Sequence, residues 1–184
     1  VASDEGLVFN THKVLSFIEP GSKGIEIGVW KGALARRIVQ KQPSEYVLID
    51  PWLYQPEFSN TMYGGGIAKC QADMDAIFTA VLKEFGRGFR FCDVRQGMSQ
   101  DVLPSLPRRY FDWVIVDGNH TYVYTLLDLF LSYNRLRDGG VIIVDNFRGT
   151  DVNRACATFK FEMNARVSIV WEYGETIVFR RCEK

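Results

Sequence analysis

The sequence predicts an α/β domain: a three-layer sandwich around a mostly parallel, seven-stranded sheet that closes with an antiparallel hairpin. Three observations predict it. The apolar runs Trp113-Val114-Ile115-Val116 and Val141-Ile142-Ile143-Val144 have the length and composition of strands buried on both faces. Such runs alternate with stretches whose apolar residues keep helical spacing, the pattern of a parallel sheet covered by helices. The last apolar segments, Val167 to Trp171 and Thr176 to Phe179, flank Tyr173-Gly174 and read as a hairpin. A chain of 184 residues suffices for one such domain with a substantial core, so 1–184 is read as a single unit.

The elements follow in order. Val8 to Ile18 reads as a short amphipathic helix ended by Glu19-Pro20-Gly21. Gly24 to Ile27 is the first strand, and Leu34, Ala35, Ile38 and Val39 mark the buried face of the next helix. Tyr46 to Ile49 is the second strand, ending at Asp50-Pro51. Residues 51 to 70 form a long polar-aromatic loop around Gly64-Gly65-Gly66, of the length typical of lids and binding loops. Met74, Ile77, Phe78, Val81, Leu82 and Phe85 define a helix, and Phe89 to Val94 the third strand. The fourth strand runs from Phe111 to Val116. Leu126, Leu127, Phe130 and Leu131 mark a helix that stops at Asp138-Gly139-Gly140. The fifth strand is Val141 to Val144, followed by a helix from Val152 to Met163.

Composition excludes several functions. Lys plus Arg equals Asp plus Glu, and no basic run exceeds a pair such as Arg36-Arg37, so no nucleic-acid or anionic-membrane partner is expected. The four cysteines show no paired spacing, which fits thiols in a reducing, cytoplasmic setting better than a disulfide or zinc framework. No stretch is long and apolar enough to span a bilayer.

Asp117 and the pair Asp145-Asn146 each close an apolar run. Ligands of open α/β sheets sit at the carboxyl ends of strands, so neighbouring strands would bring two carboxylates and a carboxamide together. These are hard oxygen ligands, suited to magnesium, manganese or calcium, with positions left open for substrate and water. Each alone is equally a helix cap. The first strand runs into Glu26-Ile27-Gly28-Val29-Trp30-Lys31-Gly32 and a helix. A dinucleotide fingerprint needs a glycine where Trp30 stands, which favours a ligand without pyrophosphate and disfavours a nicotinamide-dependent oxidoreductase. Asp50 stands where an acid would accept hydrogen bonds from two ribose hydroxyls. Read alone, Gly28 and Gly32 could equally serve a tight turn, and Asp50 a capped loop.

These residues carry a resemblance. The chain resembles a class I S-adenosylmethionine-dependent methyltransferase of Rossmann-like fold, and more narrowly the metal-dependent O-methyltransferases of the catechol and macrocin types. Glu26 through Gly32 is similar to the family's first motif and Leu48-Ile49-Asp50-Pro51-Trp52 to its ribose-binding strand end. Gly97-Met98-Ser99-Gln100-Asp101 is similar to the catechol-type adenine loop, and Asp117-Gly118-Asn119-His120-Thr121-Tyr122 with Val144-Asp145-Asn146 to the metal and catalytic motifs. The resemblance implies that Glu26, Gly28, Trp30, Gly32, Asp50, Gly97, Met98, Ser99, Gln100 and Asp117 contact the cofactor. It implies Mg2+ or Mn2+ on Asp117, Asp145 and Asn146, and a proton-accepting His120 where the catechol type has lysine. The acceptor implied is a hydroxyl of a small molecule: a vicinal diol of a sugar or glycoside, or a catechol-like phenol. A metal-independent methyltransferase and a non-catalytic cofactor-binding domain are the competing readings. The long amino-terminal helical region of many relatives is missing, so one acceptor wall is expected to be absent or supplied by a second subunit of a homo-oligomer. Trp30, Trp52, Tyr54, Tyr63 and Tyr122 are candidate pocket walls. His12 is assigned no role.

Overall fold

The computed structural model describes residues 11–183. Five parallel strands form the body of the sheet: β1 (Lys23–Ile27), β2 (Glu45–Asp50), β3 (Cys92–Gln96), β4 (Phe111–Val116) and β5 (Leu136–Val144). The hairpin β6 (Val167–Tyr173) and β7 (Thr176–Arg181) adds antiparallel, giving the order β3-β2-β1-β4-β5-β7-β6. The chain reverses direction beside β1, which leaves a crevice at the carboxyl ends of β1 and β4.

Alternation along each strand divides the core between the two faces. Trp113, Ile115, Val141 and Ile143 face α1 (Thr11–Leu15), α2 (Ala33–Ile38) and α3 (Gln71–Val81). Val114, Val116, Ile142 and Val144 face the other layer, made of α4 (Ser99–Val102), α5 (Tyr122–Arg135) and α6 (Thr150–Met163). Continuous Val/Ile runs are required because both sides of these strands are covered. Among the described residues no helix is long and apolar enough to cross a membrane.

Several elements depart from the sequence expectation. The first residues of the helix expected from Val8 lie outside the described residues. The third strand begins at Cys92 rather than Phe89, because Phe89 closes a turn onto the Phe85 carbonyl and stacks on that ring. The helix after β4 ends at Arg135, where Leu136 turns extended, not at Asp138-Gly139-Gly140. Those glycines lie inside β5, in a bulge between the Phe111–Leu136 and Trp113–Val141 pairs. Gly139 adopts φ +78°, and a Cβ on Gly140 would press against the Asp112 carbonyl at 2.9 Å. The loop of residues 51–70 carries one 3-10 turn, Pro56–Phe58, and one π turn, Met62–Gly66. Gln71 anchors it, accepting the Tyr54 amide at 2.9 Å and donating to the Trp52 carbonyl at 3.0 Å. Helix α4, a single turn, is not among the elements the sequence predicts.

Candidate active site

The strand ends are laced together just before the residues that matter. The Gly28 amide donates to the Ile49 carbonyl, Asp117 to Ile27, Asp145 to Val116, and Gly97 to Asp50, at 2.9–3.1 Å. The four connecting loops therefore open on one side of the sheet, around a cavity of about 640 Å³. That volume is in the range of small-molecule and cofactor sites. Glu26, Gly28, Trp30, Asp50, Gly97, Met98 and Ser99 line it, and so do Asp117, His120, Asp145 and Asn146.

Two expected contact residues are not on its wall. Gly32 opens α2 at φ +75°, and a Cβ there would meet the Phe85 ring at 2.5 Å, so glycine is needed for helix packing. Gln100 lies on α4, outside the lining of the cavity, with its side-chain oxygen buried and without a hydrogen-bond partner. Of the aromatic candidates, Trp30 and Tyr63 line the cavity. Trp52 is wholly buried against Phe78, Tyr54 packs on the core, and the Tyr122 hydroxyl pairs with Thr158.

At one end of the cavity, Asp50 does two jobs. Its carboxylate accepts the backbone amides of Trp30 at 2.9 Å and Trp52 at 2.7 Å. Both tryptophans are left-handed, at φ +51° and +41°, a conformation that needs such a clamp. The Trp52 indole also donates to the Trp30 carbonyl at 2.9 Å. Each carboxylate oxygen keeps lone-pair capacity for a further donor, such as a hydroxyl. Burial lifts the Asp50 pKa to about 6 against the pull of those two amides. Glu26 is 2% exposed and accepts the Tyr46 hydroxyl. Burial, reinforced by the charges of Asp117 and Asp50, holds it well above the usual carboxylate range.

Asp128 was missed by sequence reasoning. It is 3% exposed, lines the cavity, and accepts a hydrogen bond from the Ser99 hydroxyl. Burial lifts its pKa to about 7. The buried stripe of α5, Thr125, Asp128, Leu129 and Ser132, is mostly polar, so the apolar periodicity of the sequence did not mark it.

At the other end, His120 Nε2 lies 3.2 Å from Asp117 Oδ1. Burial alone would lower the His120 pKa, but the bond to Asp117 and the charges of Asp117 and Asp145 outweigh it and raise it. Asp117 itself is raised by burial, against the His120 contact. Burial and the neighbouring Asp117 lift Asp145 to about 7, although the Asn146 amide bonds its carboxylate. Among the described residues no three His, Cys, Asp or Glu side chains form a metal cage. A cation site here needs the Asn146 carboxamide as third oxygen. The donor set fits a hard divalent cation on one further point: Asp145 Oδ1 is buried with no hydrogen-bond partner.

Similar proteins share this framework. The O-methyltransferase NovP superimposes with a TM-score of 0.66 at 17% identity, covering 94% of this chain and 76% of that one. An O-methyltransferase from Bacillus cereus, in complex with S-adenosylhomocysteine, gives 0.57 at 15%, covering 93% and 78%. A precorrin 8w decarboxylase from Methanobacterium thermoautotrophicum gives 0.60 at 11%, covering 95% and 89%. Identities this low establish the fold and not the substrate. No curated protein sequence matches the chain. A family model described as a methyltransferase domain matches residues 25–147, and the chain belongs to this family of S-adenosylmethionine-dependent methyltransferases.

Proposed function

We propose that the protein is an O-methyltransferase that uses S-adenosylmethionine and a divalent cation, Mg2+ or Mn2+, to methylate a hydroxyl of a small molecule. The acceptor class is a vicinal diol of a sugar or glycoside, or a catechol-like phenol. The observation that carries this reading is one cavity lined by the Asp50 carboxylate, by Asp117, Asp145 and Asn146, and by His120, whose Nε2 lies 3.2 Å from Asp117 Oδ1. The O-methyltransferases among the similar folds agree with it.

The cofactor supplies an electrophilic methyl group on sulfur. Asp50 would hold the ribose hydroxyls, while Gly28, Trp30 and Met98 would shape the slot. At the other end, Asp117, Asp145 and Asn146 would hold the cation, whose Lewis acidity lowers the pKa of an acceptor hydroxyl. With Nε2 engaged by Asp117, the proton of that hydroxyl goes to His120 Nδ1. Transfer would form the oxygen–carbon bond as the carbon–sulfur bond breaks, with S-adenosylhomocysteine as the leaving group and a methyl ether as product. Holding nucleophile and methyl group in line supplies much of the acceleration. A metal-independent enzyme is the second reading, favoured by the Asp117–His120 contact, which forms a base dyad needing no cation.

Calorimetry with S-adenosylhomocysteine and NAD, followed by mass and NMR analysis of products from a catechol and a glycoside diol, tests the proposal. Binding of S-adenosylhomocysteine and an oxygen-linked methyl group are expected. Tighter binding of NAD, or methylation at nitrogen, would overturn it.

A further inference from the structure

Asp128 has no part in the chemistry just described, yet it is a buried carboxylate on the wall of the same cavity. Helix α4 follows β3, at the opposite edge of the parallel strands from Asp145 and Asn146, and α4 packs against α5. The Ser99–Asp128 bond ties the two helices on the wall of the cavity. Only Oδ1 of Asp128 is engaged by Ser99. Oδ2 lies toward Gly118: a Cβ built on that glycine would be 3.6 Å from it, so the missing side chain leaves room beside the oxygen. Ile49 and Met98 add apolar surface to the same cavity. A group that fits here is flat and apolar, with a hydrogen-bond donor on one edge.

We infer that Asp128 reads the exocyclic amino group of the cofactor's adenine, with Ser99 fixing the carboxylate and Gly118 admitting the base edge. The inference rests on the S-adenosylmethionine reading and adds to it a base-specificity residue supplied by α5, where Gln100 does not reach the cavity. Above about pH 7, where Asp128 is ionised, its carboxylate accepts from the amino group of adenine and repels the carbonyl oxygen that replaces it in hypoxanthine. Base discrimination therefore belongs to this one side chain.

The test is a pair of calorimetric affinities, for S-adenosylhomocysteine and S-inosylhomocysteine, in the wild type, Asp128→Ala and Asp128→Asn, with circular dichroism as a folding check. The wild type should prefer the adenine nucleoside by on the order of 10–100-fold, the range of one charge-assisted hydrogen bond. Asp128→Ala should bring that ratio toward one. In Asp128→Asn, Ser99 still donates to the amide oxygen and the new amino group faces the base, so the ratio should fall and hypoxanthine should gain. Should Asp128→Ala not fold, the fall in Asp128→Asn decides. A ratio that stays at its wild-type value in the folded variants overturns the inference while leaving cofactor use intact. Failure of the wild type to bind either nucleoside overturns both.

Discussion

Replacing Gly28 by alanine probes the joint on which the whole site depends. Gly28 stands at φ +90°, and a Cβ there would overlap the Asp117 carbonyl and come within 2.8 Å of the Gly118 Cα. A left-handed L-residue costs about 1–2 kcal/mol. Forcing extra volume into a packed contact costs about 1–3 kcal/mol more. Gly28→Ala should therefore destabilise the fold by about 2–5 kcal/mol. Gly174→Ala separates the two contributions, because Gly174 has φ +60° and nothing within 4 Å of its virtual Cβ. It should cost only the backbone part, about 1–2 kcal/mol. Urea unfolding followed by tryptophan fluorescence measures both. Because the displaced atoms belong to Asp117 and Gly118, Gly28→Ala should also weaken S-adenosylhomocysteine binding, whereas Gly174→Ala should not. Equal destabilisation by the two substitutions would refute the packing argument and leave Gly28 as an ordinary turn residue.

Other expectations follow from the buried acids. Asp50, near 6, and Asp128 and Asp145, near 7, are all raised above an unfolded value of about 3.9. The folded chain then binds more protons than the unfolded one between about pH 4 and 7, so stability falls as pH rises through that window. His120, also raised, acts in the same direction above about pH 6.5. The ligand-free protein should melt lower at pH 8 than at pH 6; the opposite order would refute the burial of these groups. A divalent cation needs the ionised carboxylates, so its stabilisation should be larger at pH 8 and vanish in Asp145→Asn, by thermal denaturation with and without Mg2+. His120→Ala should lower turnover by roughly 10²–10⁴-fold, leave S-adenosylhomocysteine affinity near wild type, and remove an ascending limb of the pH profile. Retention of both the limb and the turnover would assign the proton to another group. Asp50→Asn should weaken S-adenosylhomocysteine by about tenfold or more, the loss of one charge-assisted bond, and unchanged calorimetric affinity would remove Asp50 from the ribose site.

Much of the site was legible because it lies where strands end. The runs closing at Asp117 and Asp145 have no use except as doubly covered strands, and parallel pairing then places their last residues side by side. Asp50, His120 and Asn146 inherit their positions from the same rule. Less visible was whatever depends on packing between elements distant in sequence. Gly32 looks like a ligand-binding glycine but makes room for Phe85, and nothing local distinguishes the two uses. Gly139-Gly140 resembles a helix stop, but the strand had already begun at Leu136 and the glycines serve a bulge. Asp128 sits in the middle of an ordinary amphipathic helix, and only its contact with Ser99 across the layer shows why an acid is buried there.

The most direct measurement is methyl transfer from labelled S-adenosylmethionine to a catechol or a glycoside diol in excess EDTA, then after addition of Mg2+ or Mn2+. The oxygen cluster of Asp117, Asp145 and Asn146 predicts that transfer stops in EDTA, returns with the cation, and does not return in Asp145→Asn. Full transfer in EDTA would contradict the cation site and leave the Asp117–His120 pair as a metal-independent base.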